Sequence, residues 1–163
     1  MTDHERSLHG VGGWLAFFIL TLGLFTPLRI FFNIAVLLGD DETAAAYGPD
    51  WPLLVSLLVA IDLLTSVGVI WMAWRLYSDH VPQSLRIAKI GLWVLAFAPL
   101  LLANTVVSFF SDVSVADLIA SSGIESIRPF VYALIWTLYL FISRRVENTY
   151  SQSDAMAESV VFE

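Results

Sequence analysis

The sequence predicts an all-α integral membrane protein, a four-helix bundle that crosses the bilayer four times with both termini in the cytoplasm. Three observations lead there. Mean hydropathy is +0.76, with 58% hydrophobic and 14% charged residues, where a soluble domain carries about 25% charged residues. Four apolar runs approach or exceed the ~20 residues that cross a hydrocarbon core. The basic residues outside those runs or at their ends cluster on one side of the resulting layout.

The runs are Val11 to Leu38, Leu53 to Leu76, Ile87 to Phe110, and Ile127 to Ile142. The first is longer than the core is thick, at about 42 Å for one straight helix, so its outer boundary is open between Phe32 and Leu38. The last is short, and because Arg144 and Arg145 can snorkel, that helix is expected to continue to Val146. A cleaved signal peptide does not fit: Met1 to Gly10 sets Asp3 and Glu5 against Arg6, and the apolar run that follows is too long. The expected units are a four-span domain over residues 1–150 and a mobile cytoplasmic tail over 151–163.

Sidedness follows from the Lys and Arg residues. Arg6, Arg75, Arg86, Lys89, Arg144 and Arg145 fall on one side and Arg128 alone on the other, which puts the first group in the cytoplasm of a bacterial inner membrane. The two outer connections are acidic, with Asp40, Asp41, Glu42 and Asp50 in one and Asp112, Asp117 and Glu125 in the other. Trp14, Trp51, Trp71, Trp74 and Tyr77 sit at span ends, where amphipathic rings anchor. Gly39 to Pro52 reads as an irregular acidic loop. Ser114 with Asp117 three residues on reads as a capping box, so Val115 to Ser122 is expected as a short interfacial helix stopped by Gly123.

The opening Gly10-Val11-Gly12-Gly13-Trp14-Leu15 and the closing stretch form a recognisable pair. The latter comprises Arg128-Pro129-Phe130, Trp136, Tyr139-Leu140 and Ser143-Arg144-Arg145-Val146-Glu147-Asn148-Thr149-Tyr150. Together they resemble the bacterial membrane family known as domain of unknown function 2569. The resemblance implies a small four-helix inner-membrane protein with no settled activity, and it picks out Gly12, Gly13, Trp14, Arg128, Trp136, Tyr139, Ser143, Arg145, Val146, Thr149 and Tyr150. Glu147 stands where that family usually has a basic residue, and Tyr150 where Phe is usual.

Two ionisable residues, Arg29 and Asp62, lie within apolar runs and far from their ends, where charge is expensive enough to mark a functional site. Each is nine residues from the outer end of its run, roughly 13 Å down, so the two are at one depth. Asn33, Thr65 and Ser66 lie a turn away, and Asn104 on the third run can join a polar cluster. Either this is a pocket open to the outer side, or Arg29 and Asp62 form a neutral clip between helices one and two. Pro27 and Pro99 inside their runs lead to an expectation of static kinks.

Other chemistry is thin. There are no cysteines, which excludes disulfides and thiol catalysis. His4, His9 and His80 lack metal-site spacing, and Asp40, Asp41 and Glu42 have no calcium-loop spacing. The glycines around Val11 have neither a preceding strand nor a Lys-Ser/Thr pair, so they are not a phosphate loop. No cofactor or catalytic set is expected. Ser56, Ser66 and Ser108 have no histidine at their depth, and so few cytoplasmic cations make no nucleic-acid surface.

Partners are then the lipid bilayer and either another membrane protein or further copies of the chain. Two roles compete. One is a non-enzymatic accessory or scaffold subunit that packs through its helices, the other a small transporter or channel component with Asp62 and Arg29 in a polar intramembrane site. The charge asymmetry has a direct readout: a reporter that works only in the cytoplasm should be active fused after Glu163 and silent when inserted between Gly39 and Pro52.

Overall fold

A computed structural model describes residues 11–150; the expected tail 151–163, and with it Arg6, His4, His9 and Gly10, lies outside the described residues. Those described are helical with no strand. Four segments are long and apolar enough to cross a membrane: Gly13–Leu38, Asp41–Ser78, Pro82–Phe110 and Ile124–Ile142.

The first span, α1 (Gly13–Leu38), is one helix in three parts, with a π-helical turn at Thr21–Phe25 between α-helical Gly13–Leu20 and Thr26–Leu38. Pro27 explains the turn. It has no N–H to give, and its ring would strike the carbonyl four residues back in a regular helix. The chain widens by one residue instead, so that the Thr26 amide and its hydroxyl (2.8 Å) both donate to the Thr21 carbonyl. Pro99, by contrast, sits inside an uninterrupted helix.

The connection from Gly39 to Pro52 is not irregular. It holds α2 (Asp41–Tyr47) and a 3-10 turn, Gly48–Asp50, that runs into α3 (Trp51–Ser78). Asp40 caps α2 by accepting from the Thr43 amide (2.9 Å) and hydroxyl (2.6 Å). These two bonds hold its carboxyl below the usual range. Gly and Pro at the margins hid a helix whose interior, with three consecutive alanines, favours one.

Two further boundaries move outward from the sequence expectation. α3 begins two residues before Leu53, with Pro52 in its first turn, and α4 (Pro82–Phe110) begins at its own first-turn proline, ahead of Ile87. α5 (Val115–Ser121) follows the capping box: Ser114 Oγ accepts from the Asp117 amide (3.2 Å) and donates to its carboxylate (2.6 Å).

The fourth span corrects the sequence reading. α6 covers Ile124–Ile142 and does not continue to Val146. It gains its length at the other end, from Ile124, reaching 19 residues and hence about 28 Å, enough for the core without Arg144 and Arg145. At Ser143 the chain turns (ψ 113°), and a separate helix, α7 (Arg144–Tyr150), begins.

The buried side chains concentrate at one end of the spans. From α1 come Leu15, Phe18 and Leu22; from α3, Val69, Met72, Ala73 and Leu76; from α4, Ala88, Leu92 and Ala96; from α6, Ala133, Trp136 and Leu140. Gly68 meets Leu95 and Gly91 meets Met72, so α3 and α4 run antiparallel. Phe97 against Phe130 (4.5 Å) and Lys89 over the Phe141 ring (3.7 Å) show the same for α4 and α6. Alanine and glycine at these crossings let backbones approach, which is how helices gain packing energy where lipid competes equally for apolar surface.

α7 seals this end. Val146 and Tyr150 are buried, and the Tyr150 hydroxyl donates to the Leu76 carbonyl at 2.6 Å. Burial and the neighbouring Tyr139 push the Tyr150 phenol above its ordinary range, so it stays a donor. Tyr150→Phe should then lower stability in detergent by about 1 kcal/mol through the lost hydrogen bond. Tyr150→Ala should lower it by about 3–5 kcal/mol through the cavity left behind. Equal melting temperatures for the two variants would contradict this.

Candidate functional site

Beyond the packed end the spans part. A cavity of about 500 Å³ lies between them, lined by residues of all four. Its floor is the top of the core, where Leu22, Val69, Leu92 and Ala96 belong to both. Beneath, Phe18 stacks on Trp136 at 4.6 Å, and Tyr132 and Tyr139 meet the same indole edge-on. The cavity therefore has one closed end.

Four residues of the expected polar cluster line this space: Arg29 and Asn33 from α1, Asp62 and Thr65 from α3. Ser66 and Asn104 do not. Ser66 is one position, about 100° around the helix, beyond Thr65, and the Asn104 amide donates to its own helix at Leu100 O (2.8 Å). Thr65 is also held locally, donating to Ile61 O at 2.8 Å.

Arg29 and Asp62 share the cavity without closing on each other. No Arg29 nitrogen comes within 4.0 Å of an Asp62 oxygen. The clip between helices one and two, one of the two readings, is thus not closed as a direct ion pair. Both residues line the one cavity, and the gap between them is set by how far the helices stand apart above the core.

Tertiary structure adds members that spacing did not reveal. Thr21, Thr26, Arg128 and Tyr132 all line the cavity. The Thr21 hydroxyl gives its single proton to Phe18 O (2.7 Å), so Tyr132 must be the donor in their 2.9 Å contact. The π-helical turn thus carries a cross-helix hydrogen bond from α1 to α6 at the cavity floor. Arg128, one turn from Tyr132, pairs with Glu125 at 2.9 Å, and both are largely exposed. A Thr-x-x-x-x-Thr-Pro stretch and the i,i+4 spacing of Arg128 and Tyr132 were the available signals.

The residues named by motif lie elsewhere, at the closed end. An ideal Cβ on Gly12 would stand 2.6 Å from Arg145 Nη1, and Gly13 adopts φ +55° as α1 begins. The first glycine leaves room for the Arg145 guanidinium, and the second meets the demand of a left-handed backbone. Ser143 Oγ receives the Val146 amide at 3.5 Å as α7 starts, and Thr149 Oγ1 donates to Arg145 O at 2.7 Å. Of the closing stretch, Arg128 and the adjoining Pro129 reach the cavity. Among the described residues no group of His, Asp or Glu is placed to hold a metal ion.

A family model described as protein of unknown function (DUF2569) matches residues 8–151. No curated protein and no solved structure matches the chain.

The Thr21–Tyr132 contact is the point at which cavity and core are coupled. Thr21→Val and Tyr132→Phe should each lower stability by roughly 0.5–1.5 kcal/mol. The double variant should lose little more than either alone, as two partners of one bond do; full additivity in a thermal-unfolding cycle would show that the hydroxyls act separately.

Proposed function

The chain belongs to the DUF2569 family of unknown function, and from that premise we propose that it is a ligand-binding component of a small transport system in the bacterial inner membrane. In this reading the termini are cytoplasmic, the four spans form a bundle, and the cavity opens to the outer side. One observation carries it. A membrane-embedded cation and anion, Arg29 and Asp62, face a common space of about 500 Å³ without closing into a direct ion pair. Opposite charges held apart at such depth are rare unless water or a ligand comes between them.

The orientation is supported by the basic residues. Arg75, Arg86, Lys89, Arg144 and Arg145 all belong to the closed end, and the acidic connections around Asp40 and Asp117 belong to the other. The positive-inside rule then turns the closed end to the cytoplasm. Catalysis is not part of the proposal, because the cavity presents Arg, Asp, Asn, Thr and Tyr side chains without a His beside a hydroxyl.

The accessory or scaffold role keeps one supporting observation. A second hollow of about 450 Å³ lies between α1 and α3, over Ala16, Gly23, Ala73, Trp74 and Tyr77, and small residues of this kind accept a further helix. It presents no charge, and lipid covers such a surface equally well.

The absence of cysteine makes the cavity directly testable. With Thr65→Cys as the sole thiol, a membrane-impermeant maleimide applied from the outer side should label the protein. Ala133→Cys, fully buried at the closed end, should stay unlabelled. A folded Thr65→Cys protein that resists the reagent would sink the outward-open cavity.

A further inference from the structure

Resting on the outward-open cavity, we propose that its ligand is a zwitterionic phospholipid with a primary amine, its phosphate on Arg29 and its ammonium on Asp62. Charge complementarity is the first ground. Arg128 also faces the cavity but is engaged by Glu125 at 2.9 Å. That leaves one cation, Arg29, and one anion, Asp62. Neither has an ion pair within 4.0 Å among the described residues. A ligand that satisfies both brings an anion and a hydrogen-bonding cation on one short head group. A simple anion would leave Asp62 exposed to it, and a simple cation would leave Arg29.

The donor types agree with this. A guanidinium grips a phosphate through two parallel N–H bonds, and a carboxylate accepts from the three protons of an ammonium. Asn33, one turn outward from Arg29 on the same wall, adds an amide donor for a phosphate oxygen.

Apolar lining is the second ground. Phe25, Ile30, Leu95, Ala96, Leu100 and Pro129 share the walls with the charges, and the volume falls within the roughly 300–1,000 Å³ typical of small-molecule sites. A fully water-soluble zwitterion gains nothing from such walls, whereas a lipid places the start of its chains there. The way out for those chains is lateral. Above the π-helical turn, the Thr26–Leu38 part of α1 packs mainly on α3. Arg29 on α1 and Arg128 on α6 are both exposed on either side of the gap this leaves.

The test is lipid retention by the purified full-length chain, measured by native mass spectrometry after mixing with equal amounts of phosphatidylethanolamine, phosphatidylglycerol and phosphatidylcholine. Phosphatidylethanolamine should be retained about tenfold over the other two, the factor that one charge-assisted hydrogen bond supplies. Phosphatidylglycerol lacks the cation, and the quaternary amine of phosphatidylcholine has no proton to donate. Asp62→Asn should abolish the preference while leaving phosphatidylglycerol unchanged, and Arg29→Gln should reduce all three.

Equal retention of phosphatidylethanolamine and phosphatidylglycerol by the unaltered chain overturns the assignment, and so does a preference that survives Asp62→Asn. Competition by glycerophosphoethanolamine at the same concentration as the lipid would assign the site to a free solute and overturn the lipid as its source. Labelled Thr65→Cys with no lipid preference rejects this ligand alone; unlabelled Thr65→Cys rejects the cavity with it.

Discussion

Phe18 stacked on Trp136 at 4.6 Å is the contact from which the rest of the arrangement follows. It joins the first span to the fourth at one level, with Phe17, Tyr132 and Tyr139 around the same indole. In lipid, apolar surface alone does not drive helices together, so close fit and ring contacts must. Where they are present, Ala73, Ala88, Ala96 and Ala133 are buried and allow the backbones to close up. Above them the fit stops and the spans separate. Among the described aliphatic side chains on that side, Ile30 and Leu54 alone are buried.

That division explains where charge is tolerated. Arg29 and Asp62 both sit beyond the packed level, bordering open volume. Moved a few turns toward Trp136, either would lie against side chains that offer no partner, at a penalty of several kcal/mol. Pro27 contributes to the same end. By forcing a π-helical turn it re-aims everything that follows on α1, and it brings Thr21 to the hydroxyl of Tyr132. A helix irregularity and a cross-helix hydrogen bond therefore mark the boundary between core and cavity.

The family motif proves to be mainly architecture. Gly12 and Arg145 come from opposite ends of the chain and meet at the closed end. Ser143 ends one helix and starts the next, and Tyr150 is fastened to the third-from-last residue of α3, Leu76. These positions were legible as a motif, but their spacing along the chain carries no sign that they would assemble into one seal. The break at Ser143 was the hardest to see. Ser-Arg-Arg-Val is as compatible with a continuing amphipathic helix as with a stop, and the decision falls to Tyr150, whose burial is worth more than one further helical turn.

The sequence by itself determined the helical class, the four apolar segments long enough to span, and the capping box at Ser114. All of these follow from local composition, period and rise per residue, which need no knowledge of neighbours. Only the tertiary structure decided that the two charges face a cavity without touching, that Thr21, Tyr132 and Arg128 join them, and that Ser66 and Asn104 do not. The reason is geometric. Depth along a helix is a count of residues, but the distance across a gap depends on interhelical separation, and that is set by the side chains packed at the far end, around Phe18 and Trp136.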